Sequence, residues 1–175
     1  MIIGIDPGFA TIGYAFIAPS NNEPRIVDLG MIVTDKKKNF YDRLTEIEEN
    51  LHQLLDRHLP SIKHIDCDAV VEKIFFMKNK KTAIEVAHAR GVICNLFNKR
   101  GIRIFEYTPN EIKKAITGHG QSSKKEIQSM VIRLLNLKTP ISQDDIADAL
   151  AMTICHWFYQ EKNWGSQPMK SFPNH

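Results

Sequence analysis

The stretch MIIGIDPGFATIGYA, residues 1–15, contains a residue that the rest of the chain has to accommodate. Ile2, Ile3 and Ile5 read as a buried β-strand, and Asp6 ends that strand with a carboxylate just before Pro7-Gly8 turns the chain. Burying an unpaired carboxylate is strongly unfavourable, so a cation, a donor cluster or a metal must meet Asp6 in the folded protein.

Working outward, Gly13 to Ala18 and Arg25 to Thr34 alternate as two further strands, separated by the turn sequence SNNEP, and with the first strand they predict a three-stranded meander. Leu44, Ile47, Leu51, Leu54 and Leu55 keep helical spacing between Phe40 and Leu59. Cys67 to Glu72, CDAVVE, is a second short apolar strand that finishes on a carboxylate, in parallel with IIGID. A helix is expected from Thr82 to Arg100, then a strand from Ile102 to Tyr107, and a short helix from Thr108-Pro109 to Ile116. GHGQSS reads as a flexible loop. Ser123 followed three residues later by Glu126 is a capping-box signature for a helix to Leu137. A last helix is predicted from Asp144 to Tyr159. The order β, β, β, α, β, α, β, α, α, α predicts an α/β fold, a mixed sheet flanked by helices. Residues 1–160 are expected to form a single domain and residues 161–175 a loose tail.

Composition narrows the function classes. At 175 residues and 43% hydrophobic content the chain is long enough for one sizeable core. It has no basic leader with an apolar stretch behind it, and no apolar run near the roughly 18 residues of a membrane span, so a soluble cytoplasmic protein without a membrane partner is expected. Cys67, Cys94 and Cys155 are odd in number, widely spaced and free of any CxxC pattern, which predicts reduced, mostly buried thiols rather than disulfides or a zinc site. The net charge of +3 says little about polyanions. Its distribution says more, because lysines gather at 36–38, at 78, 80 and 81, at 113–114 and at 124–125 beside turn residues, as phosphate contacts would.

The acids supply the partner that Asp6 requires. Asp6 and Glu72 end two strands, and the last helix begins QDDIADALA, in which Asp145 or Asp144 shares a side with Asp148. If these elements meet, the carboxylates cannot all ionise without cations between them, and hard oxygen ligands select Mg²⁺ or Mn²⁺. Two such ions roughly 4 Å apart form the clamp used in phosphodiester hydrolysis.

Five collinear segments carry a specific resemblance: GIDPG near Ile5, VEKIFFMKN from Val71, TAIEVAHARGV from Thr82, EYTPNEIKKAITGHG from Glu106 and DDIADALAMTICH from Asp144. Together they resemble the RuvC family of bacterial crossover junction endodeoxyribonucleases from about Ile2 to His156. The resemblance implies an RNase H-like fold, a homodimer, and resolution of four-way Holliday junctions by paired, two-metal hydrolytic nicks leaving 5′-phosphate and 3′-hydroxyl ends. It also implies RuvA and RuvB branch-migration proteins as partners.

The family's catalytic, metal-binding acids fall on Asp6, Glu72, Asp145 and Asp148, with two Mg²⁺ as cofactor and Mn²⁺ as a substitute. Lys113 and Lys124 match its basic residues near the scissile phosphate, Lys124 as a catalytic group. Phe75 matches an aromatic used against junction bases, although Phe76 beside it could be the exposed one. Asp144, which doubles the acid pair, then reads as an onlooker or cap, and Phe9-Ala10 in the first turn is a further departure from the pattern. Actin-like sugar kinases share a strand, acid and glycine turn, but require two domains and further phosphate loops. A non-catalytic junction-binding module and a relaxed branched-DNA nuclease are the remaining alternatives.

Overall fold

The computed structural model describes residues 1–19, 24–59, 66–73, 80–139 and 141–163. The isoleucine-rich start forms β1 (Ile2–Asp6), which hydrogen-bonds antiparallel to β2 (Thr11–Ala18), itself antiparallel to β3 (Arg25–Val33). α1 (Phe40–His58) carries the chain to β4 (Asp68–Glu72), parallel to β1. α2 (Lys80–Lys99) then leads to β5 (Arg103–Tyr107), parallel to β4. The five-stranded sheet has the order β3-β2-β1-β4-β5, and α3 (Pro109–Thr117), α4 (Lys124–Leu134) and α5 (Asp144–Asn163) complete the fold. The predicted element order and the mixed sheet are both present.

Strand alternation divides the core into two layers. Ile3, Ile5, Phe16, Ala69 and Val71 face α1 and α2, whose Ile47, Leu51, Leu55, Ile93 and Phe97 are buried against them. Ile2, Ala15, Ile17 and Val70 face α3, α4 and α5 through Ile112, Ile116, Ile127, Val131, Leu150 and Ile154. Each fully buried isoleucine of β1 stabilises the sheet by about 2 kcal/mol.

α5 lies flat on the sheet because two glycines make room for it. A Cβ on Gly4 would collide with the carbonyl oxygen of Ala149 and come within 2.7 Å of Thr153 Cγ2, and one on Gly13 would collide with the carbonyl of Asp145. Farther along α5, His156 Nε2 donates to the buried Asp68 carboxylate at 3.0 Å. The Tyr107 hydroxyl lies 2.8 Å from His156 Nδ1, and Arg103 Nε donates to Asp68 at 2.7 Å. The helix is thus held at its start by close backbone contact and toward its end by a satisfied polar network.

Both capping boxes around α3 and α4 form, Thr108 with Glu111 and Ser123 with Glu126. α4 stops at Leu134 rather than Leu137, because Asn136 adopts a left-handed φ of 48° and the Leu137 amide closes back on the Ile132 carbonyl at 2.9 Å. GHGQSS, expected to be a flexible loop, is bonded to the end of α3 and to itself: Thr117 Oγ1 and Ser122 Oγ are 2.6 Å apart, and Ser122 donates to the His119 carbonyl. α2 starts at Lys80 rather than Thr82, and α5 extends to Asn163, taking in the first three residues of the expected tail. Residues 164–175 lie outside the described residues. The cysteines are free, with Cys67 and Cys155 buried and Cys94 half-buried. Among the described residues no helix is long and apolar enough to cross a membrane.

Replacing Gly4 by alanine is expected to lower unfolding stability by about 3 kcal/mol through overpacking against α5. Urea denaturation measures this, and an unchanged midpoint would show that the helix can give way.

Candidate active site

The parallel register of β1 and β4 pairs Ile5 with Val71, so Asp6 and Glu72 leave the sheet side by side, on the face that carries α5. On its other side Asp6 is opposite Gly13, the residue against which the backbone of Asp145 rests. Sheet register and glycine contact therefore bring β1, β4 and the start of α5 to one place. The turn after Asp6 is clamped from α1. Arg43 donates to Thr34 Oγ1 at 2.7 Å and to the Phe9 carbonyl at 3.3 Å, and its guanidinium lies 4.1 Å from the Phe9 ring centroid. Phe9 also stacks on Phe40 at 5.0 Å, which accounts for an aromatic side chain in this turn. Arg90 of α2 pairs with Glu106, and its Nε donates to the Glu72 carbonyl at 3.4 Å, holding the ends of β4 and β5 from the opposite face.

A cleft of about 220 Å³ opens above these strand ends. Asp6, Glu72 and Asp148 line it with Lys113 and Lys124, and Pro109, Ile112, Ile127, Ala151 and Met152 supply apolar wall. Burial, then the charges of Asp148, Glu72 and Asp145, pushes the Asp6 carboxyl from its usual 3.8 up to about 7. Burial and Asp148 raise Glu72 as well. Lys124 Nζ donates to Asp148 Oδ2 at 2.8 Å and lies 3.2 Å from Asp144. Burial pulls the Lys124 ammonium down, but its bonds to these two carboxylates outweigh that and raise it.

The fit of this donor set to a hard divalent cation follows from its chemistry. The donors are all carboxylate oxygens, and their mutual repulsion is what a shared cation relieves. Among the described residues no three acidic, histidine or cysteine side chains are already drawn into a ligand cluster. With Asp148 turned onto Lys124, the acids surround a common cleft and repel through it without converging on a point.

Of the residues singled out from the sequence, Asp6, Glu72, Asp148, Lys113 and Lys124 share the cleft, and Asp145 stands beside Asp6. Phe75 lies outside the described residues, as do the side chains of the lysine knot at 78, 80 and 81. Lys38 pairs with Glu46 at 3.4 Å and takes no place in the cleft lining. Sequence reasoning missed Arg43 and Arg90, whose partners are 34 and 18 residues away along the chain. It also missed the bond between Asp144 and Gln128.

This sheet, with acids at its strand ends and on the covering helix, defines an RNase H-like domain built around a carboxylate centre. The family model described as crossover junction endodeoxyribonuclease RuvC matches residues 2–156, and the chain belongs to the RuvC family. The Halothermothrix orenii crossover junction endodeoxyribonuclease RuvC is 41% identical over 169 residues, covering 95% of this chain and 99% of that protein. The Pseudothermotoga lettingae protein of the same name is 44% identical over 156 residues, 89% of this chain and 93% of its own. Among solved structures, Thermus thermophilus RuvC in complex with Holliday junction substrate superposes with a TM-score of 0.83 at 28% identity, covering 93% of this chain and 95% of that one.

In EDTA, the raised Asp6 carboxyl makes the folded protein hold a proton between pH 4 and 7 that the unfolded chain has lost, so stability falls as pH rises through that window. Asp6→Asn removes the buried charge. Its melting temperature in EDTA is expected to exceed wild type by several degrees at pH 8, with the gap closing toward pH 4. Mg²⁺ is expected to raise the wild type at pH 8 and leave the variant unmoved. Thermal denaturation across pH checks this, and equal melting temperatures at both ends of the range contradict it.

Proposed function

We propose that this chain is a structure-selective endodeoxyribonuclease that resolves four-way DNA junctions in recombination and repair. The observation that carries the reading is the cleft in which Asp6, Glu72 and Asp148, with Asp145 beside them, face Lys113 and Lys124. The names of the relatives and the junction bound by the Thermus thermophilus protein support the substrate.

In this reading Asp6, Glu72, Asp145 and Asp148 hold two Mg²⁺ ions, or Mn²⁺ in their place. Such a pair of ions lowers the pKa of water and stabilises the leaving oxygen in hydrolysis of a phosphodiester. The chain's own groups do the rest. Lys113 holds the DNA backbone, and Lys124 offsets charge that develops on the phosphate. The apolar wall of Ile112, Ile127 and Met152 keeps bulk water away from one side of the acids. Hydrolysis leaves a 5′-phosphate and a 3′-hydroxyl.

A two-fold dimer would present one such cleft to each of two like-polarity strands, giving paired nicks in a symmetric junction. α2 is the proposed dimer element, with Ile84 exposed on its surface. Phe75 is assigned to the junction centre, RuvA and RuvB to branch migration, residues 1–160 to a single nuclease domain, and the cytoplasm to the place of action.

The test is gel cleavage of a synthetic four-way junction beside linear duplex and a Y-shaped fork, with Mg²⁺ or EDTA. Paired, Mg²⁺-dependent nicks confined to the junction are expected. Asp6→Asn is expected to lose more activity than the roughly 10–100-fold that removing a residue behind a metal ligand costs, while still binding the junction. Equal cutting of the fork would establish a relaxed branched-DNA nuclease, and binding without cutting would leave a junction-binding module.

A further inference from the structure

Four side chains join α4 to α5 at the edge of the cleft. Lys124 and Gln128 stand one turn apart on α4, and Asp144 and Asp148 one turn apart on α5, so the two pairs face each other like rungs. Lys124 Nζ contacts Asp148 Oδ2 at 2.8 Å and Asp144 Oδ2 at 3.2 Å. The other oxygen of Asp144 accepts from Gln128 Nε2 at 2.9 Å. Both oxygens of Asp144 are therefore committed to α4. Among the described residues its carboxylate receives no bond from a backbone amide of α5.

Lys124 shares its ammonium between two acids with different duties. If Asp148 is a metal ligand, the reading on which this inference rests, its oxygens turn toward a divalent cation that also repels the ammonium. Lys124 then loses its shorter contact. Asp144 does not move with that change, because Gln128 anchors it independently. Its side chain is 62% exposed beside a surface meant for DNA, where an acid without another task only weakens binding to a polyanion.

We infer that Asp144 is a positioning residue for Lys124: held by Gln128, it keeps the ammonium over the cleft while Asp148 is engaged by metal. Asp144 acts through Lys124 and touches neither metal nor phosphate. Its signature is a slower cleavage step with no loss of junction affinity and no greater need for Mg²⁺.

The experiment is single-turnover cleavage of a synthetic four-way junction by the full chain, across a Mg²⁺ titration, with junction affinity measured separately in Ca²⁺. Asp144→Asn is expected to cut about five-fold more slowly, the scale of one exposed ion pair, with an unchanged Mg²⁺ midpoint and equal or tighter junction binding. Asp144→Glu is expected to restore most of the rate. Gln128→Ala is expected to give a smaller loss that adds nothing when combined with Asp144→Asn. An unchanged rate in Asp144→Asn overturns the inference, as does a raised Mg²⁺ midpoint, which would make Asp144 a ligand, or a loss of junction affinity that matches the loss of rate. A wild-type chain that cuts no junction overturns the underlying reading, and this inference with it.

Discussion

The close seating of α5 on β1 and β2 is the contact on which the candidate site depends. Asp145 and Asp148 reach the acids of the strands because the backbone of α5 approaches the sheet where Gly4 and Gly13 carry no side chain. Ala15 and Ala149 continue this small-residue contact among the fully buried positions. The polar network of Asp68, His156 and Tyr107 ties a later part of the same helix to β4 and β5. A helix pinned this way can neither rise from the sheet nor turn about its axis, and its acidic face stays directed at the strand ends.

That seating also works against the stability of the metal-free protein. It puts carboxylates near one another in a cleft partly walled by apolar side chains, where burial and like charge together push the Asp6 carboxyl up to about 7. Lys124 partly offsets the repulsion by binding Asp148 from α4, and Arg43 and Arg90 hold the backbone after Asp6 and at Glu72 without entering the cleft. The division is physical: the strained charges sit inside the cleft, while the cations that fix its frame stand behind it. Such a centre gains most from a ligand of concentrated positive charge, in keeping with the family to which the chain belongs.

Much of this was legible in the residues. The apolar runs of β1 and β4, the helical spacing of α1 and the Ser123–Glu126 box each depend on neighbours within a few positions, and each formed as read. The boundaries that shifted did so for local reasons, as at the end of α4, where Asn136 takes a left-handed conformation that spacing alone does not announce. The contacts of Asp144 with Lys124 and Gln128 were not legible, because its helix-start position has a sufficient local explanation and its partners belong to a different helix.

By itself the sequence determined the element types and their order, since hydrophobic period, caps and turns are properties of short segments. It also determined which acids have the chemistry to bind a hard cation, and through collinear motifs it pointed to the family. Only the tertiary structure decided which acids meet. Asp6 and Glu72 are neighbours because β1 and β4 pair in one parallel register, and α5 joins them because two glycines let its backbone touch the sheet. Register and close approach are relations between segments far apart in the chain, so they exist only once the core has packed.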